Sequence, residues 1–458
     1  FSAIRWGYFP SAAVAWRISE ENFMKGISNT LNNLKLRFSY GTAGNNNIPA
    51  NQIAQIFEAR TTSWINGFSS FWAPSVTMAN PDLKWETTFT RNLGLDFGLF
   101  DSRINGSFEI YRNNTKDLLI EFPVSGTGYN TQYRNMGETE NKGLEIELNL
   151  IALSQKKYGL SFGFNIGFNK NKILSLGVMN DFGQNTSWAS TEIGNDYWIA
   201  LGGSVGQMYG YLNDGRYLVS DFSGYDAEEE EWILKEGVVD CSNVVGTLRP
   251  GSLKLKDLSG DKIVTVADGT VIGNANPKHT GGFNIEGYFY GFDVAALFNW
   301  SVGNDIYNAN KIEYTTSRYP FRNLIDVMAE GKRWTNLDPA TGELVNDPAR
   351  LESMNATTTM WSPFMTRHVF SDWAVEDGSF LRLNTLTLGY SLPEVVTDRM
   401  HIQRLRFYVS GQNVFVLTNY SGFDPEVSSR RNTVLTPGLD YSAYPKSRQL
   451  LFGVNLTF

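Results

Sequence analysis

The segment at 257–268 is rich in oxygen-bearing side chains, with the spacing that a hard cation needs. Such side chains occupy the first, third, fifth and twelfth positions of an EF-type calcium loop: Asp257, Ser259, Asp261 and Asp268. The sixth position, where the sharp turn calls for glycine, is Lys262 instead. The twelfth is an aspartate where a bidentate glutamate is usual. A calcium site and a plain polar turn are both open, and the sequence favours the turn. We predict no other cofactor.

Aromatic residues concentrate in long segments between the candidate strands, where they could bind substrate. Flat aromatic faces suit stacking on sugar rings, and the same side chains anchor protein interfaces. We expect most of them to pack these segments together or to contact a partner protein, and a minority to touch substrate. The candidates for substrate contact are Trp64, Trp72, Trp198, Tyr209, Tyr211 and Trp361.

No residue pattern in the sequence is typical of a catalytic apparatus. The three histidines, His279, His368 and His401, lie far apart along the chain, and neither an HExxH motif nor a nucleophile elbow occurs. The single cysteine, Cys241, excludes an intrachain disulfide and a cysteine-based zinc site. A net charge of −8 argues against a nucleic-acid binder, which needs clustered lysine and arginine. We therefore predict that the protein is not an enzyme and has no nucleic-acid partner.

Alternation of polar and apolar residues dominates the chain and predicts β-strands. From 158 to 169 the alternation has no exception, with aromatic or aliphatic side chains on one face and glycine, serine and asparagine on the other. The pattern predicts eleven strands, at 4–18, 34–40, 85–98, 104–110, 144–150, 158–169, 283–289, 292–300, 380–390, 405–415 and 450–458. Near Asn384–Thr385 the phase slips, which predicts a bulge.

These strands are typical of an all-β, transmembrane antiparallel β-barrel. Many are long, and each has one apolar face and one small, polar face, as in barrels whose outside meets lipid. No apolar run approaches the ~18 residues that a membrane-spanning helix requires. The linkers alternate between short and long, and outer-membrane barrels have short periplasmic turns and long extracellular loops. We therefore predict a bacterial outer-membrane location, with extracellular loops, a periplasmic C-terminus and outer-membrane lipid around the barrel.

The last strand ends in a pattern that could direct barrel assembly. Leu450, Phe452, Val454, Leu456 and Phe458 share one face, and the chain ends on the aromatic ring. A terminal amphipathic strand ending in phenylalanine resembles the assembly signal of bacterial outer-membrane barrels. We assign Phe452, Leu456 and Phe458 to this signal.

Eight segments together point to a known family. They are "RWGYFPSAAVAWRISEENFM" (5–24), "LKLRFSYGTAGNNNI" (34–48), "NPDLKWETT" (80–88), "NLGLDFGLFDSRINGSFEIYRNNTKDLL" (92–119), "NKGLEIELN" (141–149), "VIGNANPKHTGGFN" (271–284), "FLRLNTLTLGYSLP" (380–393) and "RFYVSGQNVFVLTNYSGFDPEV" (406–427). In this order they resemble the C-terminal half of SusC/RagA-type TonB-dependent transporters of Bacteroidota, across almost the whole chain.

The resemblance implies an outer-membrane importer that is powered through TonB and capped by a SusD-like surface lipoprotein. Barrels of such transporters have ~22 strands around a plugged lumen. Residues 1–458 would then be the C-terminal half of the barrel, and the plug, the TonB-contacting segment and the first strands would lie in a separate or preceding part. A dimer of transporter–lipoprotein pairs is left open.

The cargo that the resemblance implies is first an oligosaccharide and second an oligopeptide, as in the RagA type. A passive or binding barrel without energy coupling is a further alternative. A siderophore or cobalamin receptor would share the fold but lack the segments quoted above.

Overall fold

The main element of the fold is one antiparallel sheet of eleven strands. The computed structural model describes residues 6–47, 52–61, 70–124, 126–189, 192–319, 321–429 and 434–458. Each strand is paired with the one before it and the one after it along the chain, and β1 and β11 are the two ends of the sheet. The strands are β1 (Ser11–Arg17), β2 (Leu31–Asn45), β3 (Glu86–Leu99), β4 (Ile104–Lys116), β5 (Glu138–Ser154), β6 (Tyr158–Ser175), β7 (His279–Phe289), β8 (Phe292–Val302), β9 (Phe380–Ser391), β10 (Arg404–Thr418) and β11 (Gln449–Thr457).

One face of the sheet is a continuous apolar surface. In one cross-strand row, Leu148 on β5 is opposite Phe164 on β6, which is opposite Phe283 on β7. Phe283 in turn stacks on Phe298 of β8, with ring centroids 4.4 Å apart. Because successive side chains point to opposite faces, one register fixes the apolar face across many strands.

The opposite face is polar and carries ion pairs between strands. The Arg37 guanidinium on β2 donates from Nη2 to Asp96 Oδ1 on β3 at 2.7 Å and to Glu109 Oε1 on β4 at 2.5 Å. On the same polar face, nearer the other edge of the sheet, Arg406 of β10 donates from Nε to Asp293 Oδ1 of β8 at 2.8 Å. The predicted two-faced, antiparallel sheet is confirmed.

All eleven predicted strands are present, but their bounds differ. Residues 6–10 are not in a strand, and β1 begins only after Pro10, which has no N–H to donate to a ladder. β4 and β5 extend about six residues further than predicted, through rows such as Asn113 opposite Asn141. Polar side chains occupy both faces there, so the apolar alternation ends before the strand does.

The bulge predicted in β9 is present at Asn384. Leu297 of β8 is opposite Thr385, whereas its neighbour Phe298 is opposite Leu383. The pairing with β10 also shifts between Leu383 and Thr385. One extra residue therefore keeps apolar side chains on the same face above and below this point.

The linkers alternate in length, as predicted. The short linkers are 18–30, 100–103, 155–157, 290–291 and 392–403, and the five long loops are 46–85, 117–137, 176–278, 303–379 and 419–448. Because consecutive strands are antiparallel, all short linkers lie at one end of the sheet and all long loops at the other. In the described parts of the chain, no helix is long and apolar enough to cross a bilayer.

Where the structure describes the linkers, their elements are short. The strands outside the main sheet are Phe57–Thr61, Ser70–Pro74, Thr77–Met78, Leu119–Pro123, Thr131–Asn135, Asp181–Gln184, Tyr197–Ala200, Gln207–Gly210, Asn213–Arg216, Phe222–Asp226, Glu231–Leu234, Leu253–Leu255, Thr270–Asn274, Asp305–Asn308, Val375–Asp377 and Leu439–Asp440. The α-helices are Ser242–Val245, Ala309–Glu313, Pro348–Met354 and Glu394–Thr397. The 3₁₀ helices are Ile18–Glu20, Asn22–Ile27, Val219–Asp221, Val266–Asp268, Asp326–Met328, Asp372–Ala374 and Asp398–Met400.

Candidate functional site

The third, fourth and fifth long loops pack into one body around shared apolar cores. The first core joins the third loop to the fourth, and its fully buried members include Tyr217, Leu255, Met328 and Leu351. The second core includes Tyr307, whose ring stacks on Phe370 with centroids 3.7 Å apart, and it takes Leu439 from the fifth loop. We call these three loops the loop body.

A cavity of about 960 Å³ opens between the fourth and fifth loops. Its volume lies within the ~300–1,000 Å³ range of ligand sites. The aromatic residues that line it are Tyr314, Trp373, Phe423 and Tyr444, and the polar ones include Asn308, Asn310, Lys311, Asp326, Glu376, Ser421 and Ser442. We call it the loop cavity. Phe423 is 76% exposed and Tyr444 is 92% exposed, so both rings are free to contact a ligand.

Lys311 is fixed in the wall of the loop cavity. Its Nζ donates to the Trp373 carbonyl oxygen at 2.5 Å and lies 4.1 Å from the centroid of the Trp373 ring. The same Nζ is 3.5 Å from Glu376 Oε1. Burial lowers the pKa of Lys311, and the neighbouring Glu376 carboxylate opposes this effect only in part. The ammonium group is therefore held at a defined position beside an aromatic face.

Glu376 is kept ionised in the same wall. Burial alone would raise the pKa of Glu376, but the hydrogen bonds it accepts, together with the Lys311 charge, hold this pKa below its ordinary value. The donors are the Ser421 backbone N–H at 2.9 Å, the Ser421 hydroxyl at 2.8 Å and Asn308 Nδ2 at 2.9 Å. The cavity thus combines aromatic faces with amides, hydroxyls and one ion pair, a set that can stack on and hydrogen-bond to a polar ligand.

The substrate contacts proposed from the sequence do not fall in the loop cavity. Trp64 lies outside the described residues, and none of the described candidates lines this cavity. Trp72 is 73% exposed on the hairpin formed by Phe57–Thr61 and Ser70–Pro74. Trp361 is only 6% exposed and meets Trp373 edge to face, with centroids 4.7 Å apart. Its ring is therefore turned into the first core.

Three other candidates belong to the third loop. Trp198 and Tyr209 are partly buried and stack on each other, with centroids 4.7 Å apart. They lie on two paired strands of this loop, Tyr197–Ala200 and Gln207–Gly210. Tyr211 packs against the first core, and its N–H donates to the Phe370 carbonyl at 3.0 Å. Substrate contact by these residues stays a prediction.

Sequence reasoning missed most of the residues that line the loop cavity. Tyr314, Phe423 and Tyr444 lie on short segments of two different loops, and no local motif links them. Their side chains meet only because the loops share an apolar core. The one local signal was aromatic content in segments between strands, which also marks residues that serve packing alone.

The oxygen-rich segment at 257–268 forms a turn whose carboxylates are already hydrogen-bonded. Asp257 accepts from the Ser259 hydroxyl at 3.0 Å and from the backbone N–H groups of Gly260 at 2.6 Å and Lys262 at 2.8 Å. These backbone bonds lower the pKa of the Asp257 carboxyl. Lys262, at the position that calls for glycine, has a φ of +69°.

Asp261 and Asp268 serve the same turn. Asp261 accepts from the N–H of Ile263 at 2.8 Å, and Asp268 accepts three backbone N–H groups at 2.8–2.9 Å. Burial favours the neutral form of Asp268, yet these bonds outweigh it and lower the pKa of this carboxyl. Among the described residues, no three His, Cys, Asp or Glu side chains form a group that could hold a metal ion. This donor arrangement suits a turn better than a calcium ion, and calcium binding stays untested.

The proposed assembly signal lies on the apolar face of the terminal strand. Phe452 and Leu456 on β11 are 75% and 45% exposed, and Phe458 follows the strand. Phe452 is opposite Val409 and Leu456 is opposite Leu405, both on β10. A role in assembly stays a prediction.

The three histidines occupy separate environments. His279 accepts a hydrogen bond from Trp300 Nε1 at 3.1 Å. His368 is buried, with its Nδ1 3.0 Å from Glu192 Oε2, and burial lowers its pKa below the ordinary value. His401 lies on the short linker between β9 and β10.

Sequence comparison places the chain among receptor barrels. Residues 1–237 match the family described as TonB dependent receptor-like, beta-barrel. The chain is 32% identical over 465 residues to TonB-dependent receptor P3 of Formosa agariphila, covering 99% of this chain and 42% of that protein. It is 28% identical over 464 residues to TonB-dependent receptor SusC of Bacteroides thetaiotaomicron, covering 99% of this chain and 40% of that protein.

Structure comparison finds the same architecture. The RagAB peptide importer in its closed-closed state superposes with a TM-score of 0.73 at 23% identity, over 99% of this chain and 44% of that chain. A second structure, of the RagAB peptide transporter, gives a TM-score of 0.72 at 23% identity, over 98% of this chain and 43% of that chain. The chain therefore spans less than half the length of these relatives.

Proposed function

The chain belongs to the family of TonB-dependent receptor-like β-barrels, and we propose that it supplies barrel wall and extracellular loops to a SusC/RagA-type outer-membrane importer. One observation carries the proposal: an antiparallel sheet with an apolar face and an ion-paired polar face, whose long loops all lie at one end. The apolar face would meet lipid, the polar face would line the lumen, and the long loops would be extracellular.

The substrate class that we propose is an oligosaccharide, bound in the loop cavity. Its support is the chemistry of the lining: exposed rings at Phe423 and Tyr444 for stacking, beside the amides of Asn308 and Asn310 and the Glu376 carboxylate for hydrogen bonds to hydroxyl groups. This chain would bind and position substrate and would take part in no chemical step.

An oligopeptide is the second candidate, and a specific feature favours it. Lys311 and Glu376 present opposite charges 3.5 Å apart in the cavity wall, which suits the charged termini of a peptide. The RagAB structures, described as those of a peptide transporter and importer, share this fold.

The proposed import cycle needs parts beyond this chain. A SusD-like lipoprotein would close over the loop body, and TonB, acting on a plug in the remaining half of the transporter, would open a path for the trapped substrate. The proposed subunit therefore comprises this chain, the rest of the barrel and plug, the lipoprotein and surrounding outer-membrane lipid, with a dimer of such pairs open to test.

The test uses the full-length transporter purified from outer membranes with its bound proteins. We expect a surface lipoprotein to co-purify and defined oligosaccharides to bind, as measured by isothermal titration calorimetry. Tyr444→Ala and Phe423→Ala should each weaken binding by about two- to tenfold, since an aromatic contact contributes ~0.5–1.5 kcal/mol. Both rings are exposed, so their removal should leave the fold intact.

Trp72→Ala is the matched control, because it removes an exposed ring from another loop. Binding of peptides in place of sugars would select the second candidate. Loss of affinity in Trp72→Ala alone would reject the loop cavity as the site. Uptake that continues unchanged without TonB would reject active import in favour of a passive barrel.

A further inference from the structure

The apolar face of the sheet has a groove at a cross-strand row in which one residue is glycine. Leu160, Gly287, Val294, Leu388 and Val409 are successive partners across β6 to β10. Glycine leaves a gap in this row, and a Cβ placed on it would make only ordinary contacts of 3.5 Å. The resulting groove has a volume of about 820 Å³ and is lined almost entirely by apolar atoms.

Aromatic rings edge the groove at the short-turn end of the sheet. The next row along the strands is entirely aromatic: Tyr158, Phe289, Phe292, Tyr390 and Phe407. All five line the groove. Aromatic belts of this kind lie at the boundary between the hydrocarbon core and the headgroups. The groove thus begins at the headgroup level and runs toward the hydrocarbon core.

Two lysine side chains lie directly beyond the aromatic row. Lys156 and Lys157 are exposed in the turn 155–157, and segment 153–160 contains no acidic residue. The Lys157 ammonium lies 5.5 Å from the centroid of the Tyr290 ring, and the Tyr290 N–H donates to the Lys157 carbonyl at 2.8 Å. These contacts hold Lys157 against the residue that follows β7, at the open end of the groove.

We propose that this groove is a binding site for a glycerophospholipid of the periplasmic leaflet. One acyl chain would lie over Gly287, and the phosphate would be held by Lys156 and Lys157. The site matches an amphiphile with an apolar tail and an anionic head, because its apolar floor and its cations occur in that order from the membrane interior outward. The proposal rests on the membrane placement under Proposed function, with the short turns in the periplasm.

The test titrates phosphatidylglycerol into the full-length transporter in detergent and counts bound lipid by native mass spectrometry. Lys157→Gln and Lys156→Gln should each weaken retention about fivefold, since a basic residue near an anionic headgroup contributes ~1 kcal/mol. Lys25→Gln is the control: it removes one exposed charge from another short linker. Equal retention in all three variants and the parent would overturn the proposal.

Gly287→Leu tests the groove without removing a charge, because the leucine would occupy the space assigned to the acyl chain. We expect it to abolish the retained lipid, whereas Ala12→Leu, which adds the same side chain to the apolar face of β1, should leave retention unchanged. Retention of lipid by Gly287→Leu would overturn the site. Every variant is first checked for heat-modifiable migration in outer-membrane fractions. Absence of the parent protein from that membrane would instead reject the proposed function, and the lipid site with it.

Discussion

Asp196 is a carboxyl group that the folding of the loop body removes from water. It is 1% exposed, it accepts a hydrogen bond from the Thr186 N–H at 2.9 Å, and the Thr186 hydroxyl donates to its other oxygen. Burial raises its pKa from the ordinary 3.8 to about 6, although both hydrogen bonds act in the opposite direction. Between these two pH values, the folded loop body therefore binds a proton that the unfolded chain releases.

This linkage predicts a pH-dependent stability of the loop body. The contribution of Asp196 to the free energy of unfolding should be highest below about pH 4 and fall by about 2–3 kcal/mol as the pH rises to about 6. Asp196→Asn, which cannot ionise, should flatten the dependence and stabilise the loop body at neutral pH. Unfolding followed by tryptophan fluorescence from pH 4 to 7 measures this. Parallel curves for the parent and variant would contradict the prediction.

The turn at 257–268 gives a second prediction at the residue scale. Because Asp257 and Asp268 already accept backbone N–H groups, excess calcium should leave the thermal unfolding midpoint of the loop body unchanged. Asp268→Asn should destabilise the turn by about 1–3 kcal/mol, since buried N–H donors lose a charged acceptor. Differential scanning fluorimetry with calcium, and with magnesium as the control, checks this. A rise in the midpoint specific to calcium would instead support the cation site.

Residue type alone could not separate aromatic side chains that are exposed in the loop cavity from those that pack in a core. Trp361 and Tyr444 are equally aromatic and both lie between strands, yet one is 6% and the other 92% exposed. The difference arises from the packing of three loops that are distant in sequence. The sequence could therefore predict an aromatic-rich loop region, but it could not predict the cavity that the loops enclose.

Strands were more predictable than loops, because successive side chains of a strand point to opposite faces and the sequence therefore alternates between polar and apolar residues. The bulge at Asn384 shows how much information this alternation holds: a one-residue phase slip in the sequence appears as a one-residue shift in the register of β9. The strand ends were less predictable. β4 and β5 remain paired beyond their apolar residues. Both faces are polar there, so no alternation indicates that the strands continue.

Deletion of Asn384 should be tolerated by the apolar face, because it removes the phase slip together with the bulge. Leu381, Leu383, Leu386 and Leu388 would then occupy every second position of β9 and share one face. We expect the full-length variant to keep heat-modifiable migration on SDS gels and to remain in the outer-membrane fraction.

Deletion of Asn165, which lies in the uninterrupted alternation of β6, is the contrast and should abolish both. Either Phe162 and Phe164 or Ile166 and Phe168 would then have to turn toward the polar face. Loss of assembly in the Asn384 deletion would show that the bulge is needed for something other than the alternation.

At the scale of the whole molecule, the number of strands limits how this sheet can close. The strands of bacterial outer-membrane barrels are antiparallel, and their number is even. Eleven strands in sequential antiparallel order leave β1 and β11 running in the same direction, so the two cannot form an antiparallel pair. Open edges in lipid are unfavourable, because each unpaired backbone group loses several kcal/mol there. We therefore expect further strands to separate the two ends of the described sheet.

A disulfide scan in the full-length transporter tests this closure. Val14→Cys on β1, combined in turn with Leu450→Cys, Phe452→Cys or Val454→Cys on β11, should form no cross-link, because other strands separate the two edges. Val409→Cys with Phe452→Cys is the positive control, since these residues are opposite each other on β10 and β11. Few unintended disulfides should form within this chain, because its one native cysteine, Cys241, is buried. Efficient cross-linking of β1 to β11 would show that this chain closes on itself. The additional length of the relatives would then serve some purpose other than completing the barrel wall.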